Sequence, residues 1–324
     1  MQKKILRISL VIGLLLFLLI FYKTGPEQIW KYVKKLTWQK FLILFILRSL
    51  YYILRTVSWK IIFEKYESKV SFSHLFMARI AGDAISYITP SAQVGGEPIR
   101  AMMMSSSSKR KTFASVIVDK TIEIFTMIFF IIIGVAIAVS QIPMPRHYKL
   151  FFIAFVLGAV LFGFFLFFRQ KQGFLIWIIN ALDKIKIKFK FVEKNKTKIK
   201  EIDDHISDFY KKHRKIFFLV FLLYSFIFLF WTAEIYLALL FIDTVGLTFL
   251  KSFLILTLGS LVVILPTIPA SLGVYEITYV TIFILLGLGA KVGMTLTLIR
   301  RLLVLIWVGV GLLAILKRQS GMKT

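Results

Sequence analysis

The sequence predicts an all-α, polytopic integral membrane bundle of about six full spans plus two helix pairs broken by proline and glycine. Three observations carry that prediction. The chain of 324 residues is 58% hydrophobic and 16% aromatic, above the roughly half apolar content of an average soluble domain. Its charged residues, 18% of the total, gather in a few segments between apolar runs. Two of those apolar runs are interrupted near their middles by Pro and Gly.

A helix crosses the hydrocarbon core with roughly 20 apolar residues at 1.5 Å rise each. Runs of that kind lie at 5–22, 41–63, 113–139, 150–168, 216–242 and 294–316. The first has a basic lead (Lys3, Lys4, Arg7) and no small-residue cleavage site after it, so it reads as a retained span. The broken regions are 72–104, holding Pro90, Gly95, Gly96 and Pro98, and 250–290, holding Pro266, Pro269 and Gly273. Proline removes a backbone donor and glycine permits the turn. Interrupted backbone at membrane depth is tolerated only inside protein or along a wet cavity. Each region therefore reads as two half-helices that re-enter from one side, with Pro90, Gly95, Gly96, Pro269 and Gly273 as the backbone breaks.

The charge balance is one-sided, 42 Lys+Arg against 16 Asp+Glu. These basic residues flank apolar runs, so anionic lipid headgroups, rather than nucleic acid, are the expected partner. By the excess of Lys and Arg in cytoplasmic loops, both termini and the segment 169–215, with 14 Lys/Arg and 6 Asp/Glu, fall inside. Within 169–215, Phe174–Leu182 is apolar but too short to span and is expected at the interface. The loop 23–40, with five lysines, is the exception, because it falls outside.

The two breaks resemble each other. Pro90 precedes Glu97 by seven positions, and Pro269 precedes Glu276 by seven, with glycine between in both. A charged pair then stands in the next apolar helix, Asp119-Lys120 in one case and Arg300-Arg301 in the other. Three spans separate the regions, so the two enter from opposite sides. Inverted repeats with broken helices meeting near the midplane mark alternating-access transporters.

Seven acids fall in or beside apolar segments: Asp83, Glu97, Asp119, Glu123, Glu234, Asp243 and Glu276. An intramembrane charge costs at least ~2.5–3.5 kcal/mol and should face the bundle interior and pair. Structural ion pairing is as good an account of each as function, and a better one for Glu234 and Asp243. Arg48, Tyr51, Tyr52, Arg55 and Trp59 form one stripe, with the arginines either stacked on rings or snorkelling to the interface. Arg100, Arg300 and Arg301 have the chemistry to hold a lipid phosphate, beside acids suited to a cationic headgroup.

No P-loop motif is present, and Cys is absent. Asp203-Asp204-His205 and Asp208 sit in a basic amphipathic stretch and read as a solvated helix face rather than a metal site. Neither a metal nor a cofactor is expected.

The segment from Gly82 through Pro90 to Gly95-Gly96-Glu97-Pro98-Ile99-Arg100 resembles the first broken segment of the flippase-like transmembrane domain of the lysyl-phosphatidylglycerol synthase/flippase (MprF-type) family. Leu272-Gly273-Val274-Tyr275-Glu276 is similar to its second motif, and Arg300 to its Tyr-Arg-Leu motif, with Ile299 where tyrosine is usual. The resemblance covers essentially the whole chain, as a single domain. It implies movement of a polar or aminoacylated phospholipid, such as lysyl-phosphatidylglycerol, between leaflets of the cell membrane, with resistance to cationic antimicrobial peptides as a consequence. By motif match it gives roles to Glu97, Arg100, Asp119, Glu276 and Arg300. No soluble aminoacyl-transferase domain accompanies the spans, so transport is expected rather than lysyl transfer, and no catalytic residue is assigned.

The full substrate-contacting set expected is Asp83, Glu97, Arg100, Asp119, Glu123, Glu276, Arg300 and Arg301. The expected cargo is a polar or aminoacylated phospholipid or a glycolipid; the rival readings are a membrane-embedded lipid transferase with Asp83 or Glu97 as base and a small-solute or ion transporter. A separate lipid-modifying synthase docking on 169–215, or a second copy of the chain, would be the protein partners.

Overall fold

The computed structural model describes residues 18–67, 71–89, 95–104, 108–141, 146–184, 195–263 and 269–321. After a helical stretch at 18–24 come α1 (Pro26–Lys35), α2 (Trp38–Phe63), α3 (Phe72–Ile88), α4 (Glu97–Met102), α5 (Lys109–Gln141) and α6 (Arg146–Gln170). Then follow α7 (Phe174–Lys184), α8 (Lys196–Lys212), α9 (Arg214–Phe241), α10 (Phe249–Val263), a 3-10 turn (Pro269–Ser271), α11 (Val274–Leu285) and α12 (Ala290–Gly321). The described residues form helices without strands, and the protein is an all-α polytopic membrane bundle. Among the described residues five helices are long and apolar enough to cross a bilayer: Trp38–Phe63, Lys109–Gln141, Ile153–Gln170, Arg214–Phe241 and Ala290–Arg318. They coincide with five of the six expected spans. The first, 5–22, lies mostly outside the described residues.

Both broken regions are interrupted where proline and glycine predicted. α3 ends at Ile88, and α4 resumes at Glu97 after the Gly95-Gly96 turn. Pro90 lies outside the described residues, as does Pro266. Ser86 Oγ accepts from Gly96 N–H at 2.9 Å, so the returning chain is tied to the helix it leaves. Here glycine serves close approach. A Cβ on Gly96 would lie 1.7 Å from the Gly82 carbonyl oxygen. In the second region Pro269 opens the 3-10 turn, Ala270 and Ser271 adopt φ of 55° and 49°, and Gly273 takes φ 78° as the N-cap of α11. Here glycine serves a left-handed backbone.

The helix packing is reciprocal. α3, from the first broken region, packs along α12, the span after the second. α10, from the second, packs along α5, the span after the first. A glycine lies in each contact. A Cβ on Gly311 would meet the Ile80 carbonyl at 2.5 Å, and one on Gly134 would meet Thr257 Oγ1 at 2.2 Å. The preceding spans α2 and α9 pack on each other. α6 stands apart from this exchange, packed chiefly against α5, α7 and α8.

The basic segments gather at one end. Arg110 pairs with Glu201, Tyr66 Oη donates to the His205 carbonyl at 3.2 Å, and Ser207 donates to the Lys171 carbonyl at 2.7 Å. The reading of Asp203 as part of a solvated face is corrected. It is 1% exposed, and its carboxylate accepts from Leu175 N–H and Ile176 N–H at 3.0 and 2.9 Å, capping α7. The basic loop 23–40 lies at the other end and contains α1, whose Ile29 packs with Met294 of α12. Lys35 pairs with Asp243 at 3.3 Å, and Lys40 donates to the Phe241 carbonyl at 2.9 Å.

Candidate functional site

A cavity of about 670 Å³ lies where the two breaks meet. α2 lines it with Arg48, Tyr51, Tyr52 and Arg55, and α5 with Lys120 and Glu123. The end of α3 brings Asp83, Ser86 and Tyr87; the second break brings Ala270, Ser271, Tyr275 and Tyr279. Arg300 and Arg301 of α12 complete the charged side, with Val304 and Trp307 of α12 and Trp231 of α9 also in the lining. α6 contributes the apolar side through Phe155, Gly158, Ala159 and Phe162. Arg301 joins the tips of both broken regions, donating to Tyr87 Oη at 2.9 Å and to the Ala270 carbonyl at 3.2 Å.

The charges form three ion-pair groups. In the first, Arg55 bridges Asp83 at 2.6 Å and Glu123 at 2.8 Å. Lys120 lies 3.5 Å from Glu123 and 3.8 Å from Glu97. Glu97 meets Arg100 at 3.3 Å, and Asp119 takes both Arg100 and Arg79 at 2.5 Å while accepting from Tyr224 Oη at 2.7 Å. This group holds four cations and four carboxylates. The second is Arg48 with Glu234 at 2.5 Å, both almost fully buried. In the third, Glu276 pairs with Arg301 at 2.5 Å and accepts from its own helix N-cap, Gly273 N–H, at 2.8 Å. Pairing is what intramembrane charges require.

Arg300 departs from this pattern. It is 7% exposed, and among the described residues no carboxylate lies within 4.0 Å of it. Its Nη1 donates to Tyr279 Oη at 2.5 Å, and its guanidinium lies 5.0 Å from the Trp231 ring, 5.5 Å from Tyr279 and 5.9 Å from Tyr275. Its Nε has no hydrogen-bond partner. The ring faces partly offset the missing carboxylate.

Of the residues singled out in the sequence, Asp83, Glu123, Arg300 and Arg301 line the cavity. Glu97, Arg100 and Asp119 lie behind its wall, where the Arg100 guanidinium stacks 3.8 Å from the Trp59 ring. Glu276 is fully buried and reaches the cavity through Arg301. Arg48 and Arg55 stack on Tyr51, each 5.3 Å from its ring, rather than snorkelling. Trp231, Tyr87 and Tyr279 were not singled out. Tyr279 lies one helical turn beyond Tyr275 and faces the same cavity, but a lone tyrosine on an apolar helix carries no distinguishing signal.

The family model of the lysylphosphatidylglycerol synthase transmembrane region matches residues 5–312. The chain belongs to this family. It is 23% identical over 314 residues to a UPF0104 membrane protein of Pyrococcus horikoshii, covering 91% of each chain. It is 31% identical over 142 residues to a UPF0104 membrane protein of Methanothermobacter thermautotrophicus, a match over 43% of this chain and 42% of that one. A Methanocaldococcus jannaschii relative is 24% identical over 208 residues, 63% of this chain and 60% of that one. These last two alignments span less than two thirds of the relatives' own lengths. No solved structure matches the chain. The protein is thus a multi-pass membrane protein of the lysylphosphatidylglycerol synthase transmembrane family.

Proposed function

We propose that the protein is a lipid translocase that moves a polar-headed phospholipid or glycolipid between the leaflets of the cell membrane. One observation carries this reading: a cavity that sets charged side chains within a largely apolar lining and is walled jointly by the tips of both broken helix pairs. Its volume, about 670 Å³, lies in the range of ligand pockets, roughly 300–1,000 Å³, and suits a headgroup. The apolar α6 side, which makes few contacts beyond α5, α7 and α8, is where acyl chains would remain in the bilayer. The reciprocal packing of α3 on α12 and α10 on α5 gives two related halves that could rock about one site, as alternating access requires. With the basic end facing the cytoplasm, the first broken pair enters from inside and the second from outside.

The test is leaflet exchange. Purified protein in vesicles with a fluorescent, headgroup-accessible lipid is expected to speed exchange well above that of protein-free vesicles. Exchange at the protein-free rate with every phospholipid and glycolipid tried would overturn the reading.

A further inference from the structure

We propose that the headgroup taken by this cavity is a net-anionic lipid phosphate seated on Arg300, and that an aminoacylated headgroup of net positive charge is disfavoured. The proposal rests on the translocase reading and narrows its substrate class.

The argument is a charge count over the ion pairs. Every carboxylate in and behind the cavity wall already accepts from at least one cation: Asp83 and Glu123 from Arg55, Asp119 from Arg79 and Arg100, Glu276 from Arg301. Glu97 and Glu234 are held in the same way by Arg100 and Arg48. Among the described residues seven cations thus face six carboxylates, and the surplus cation is Arg300. A cationic headgroup would meet carboxylates already neutralised by these cations and would enter a cavity lined by Arg48, Arg55, Lys120, Arg300 and Arg301 against Asp83 and Glu123. Four of the lining rings, Tyr51, Trp231, Tyr275 and Tyr279, already lie against Arg48, Arg55, Arg300 and Arg301.

An anion meets the opposite situation. Arg300 lines the cavity, is more than nine-tenths buried and held in place by Tyr279 and the surrounding rings, and among the described residues has no carboxylate within 4.0 Å. Arg301 lines the same cavity beside it. Guanidinium groups match phosphate oxygens in geometry, and a charge-assisted bond in a desolvated site is strong. A buried cation without a carboxylate is costly in an empty bundle, and a phosphate would remove that cost.

The test is equilibrium binding, read from the intrinsic fluorescence of cavity tryptophans Trp231 and Trp307 in neutral detergent. The titrants are phosphatidylglycerol, lysyl-phosphatidylglycerol and inorganic phosphate. Phosphatidylglycerol is expected to bind at least about tenfold more tightly than its lysylated form. Arg300→Gln is expected to weaken that binding about ten- to a hundredfold, and Arg300→Lys less. Displacement of the lipid by inorganic phosphate only at far higher concentration supports a lipid site, whereas tighter binding of free phosphate than of lipid overturns it. Equal or tighter binding of the lysylated lipid overturns the charge assignment, as does an unchanged affinity in Arg300→Gln. Should Arg300→Gln fail to fold, the two-lipid comparison on the unaltered protein decides alone. Binding and transport fail separately: selective binding without leaflet exchange removes the translocase reading, while exchange without selectivity removes this one.

Discussion

The two broken regions share a framework and differ in the charge carried by one member of the pair on the following span. In each, the glutamate after the break reaches a cation of the charged pair on the following span, Glu97 to Lys120 at 3.8 Å and Glu276 to Arg301 at 2.5 Å. The other member of the pair is Asp119 in the first region and Arg300 in the second. Asp119 is fully buried, with two arginines and a tyrosine on it. Arg300 faces the cavity and has no carboxylate within 4.0 Å among the described residues. The first region is therefore a closed, balanced network that fixes the wall, while the second leaves a cation available to a ligand. Similar motifs need not carry similar roles.

Substitutions can break this contrast, and the expected effects descend in size. Asp119→Ala leaves Arg79 and Arg100 buried without their carboxylate, and one orphaned buried charge already costs roughly 3–5 kcal/mol. We expect it to prevent accumulation of folded protein, seen as loss of a monodisperse peak in size-exclusion chromatography. Gly96→Ala drives a methyl into the Gly82 carbonyl. Overpacking of this kind costs about 1–3 kcal/mol or more, expected as a lowered Tm in detergent. Gly273→Ala meets backbone strain instead, at φ 78°, for about 1–2 kcal/mol. A smaller Tm loss than for Gly96→Ala would sharpen the distinction between close approach and left-handed geometry, and the reverse order would break it. Arg300→Gln orphans no carboxylate and should shift stability by less than about 1.5 kcal/mol while reducing leaflet exchange. Arg110→Ala, in an exposed pair with Glu201, should cost under about 1 kcal/mol, with a difference that shrinks in high salt.

The architecture was largely legible in the sequence because membrane spans and their interruptions are local properties. Apolar length located the five described spans, and Pro90, Gly95, Gly96 and Pro269 bracketed the breaks. The assignment of partners was not legible. Arg48 finds Glu234 across 186 positions, and Arg301 finds Tyr87 across 214. Helical spacing gives the face on which Arg48 and Arg55 lie but not the depth or the ring above them, so spacing alone does not divide stacking from snorkelling. Glu97, Arg100 and Asp119 carry the motif resemblance, yet they sit behind the wall, since a motif says nothing about which side of a helix the cavity takes. Asp203 shows the same limit: the N-terminus it caps belongs to a helix 27–28 residues upstream.

The central claim is that a lipid headgroup passes through the cavity shared by the two breaks. The chain has no cysteine, so Val304→Cys places one thiol on the cavity wall. The direct measurement is the exchange rate of a labelled phospholipid in vesicles holding this variant, before and after modification with a bulky maleimide. The account predicts a fall to the protein-free rate once the cavity is plugged. Exchange that continues undiminished in fully modified protein would contradict it.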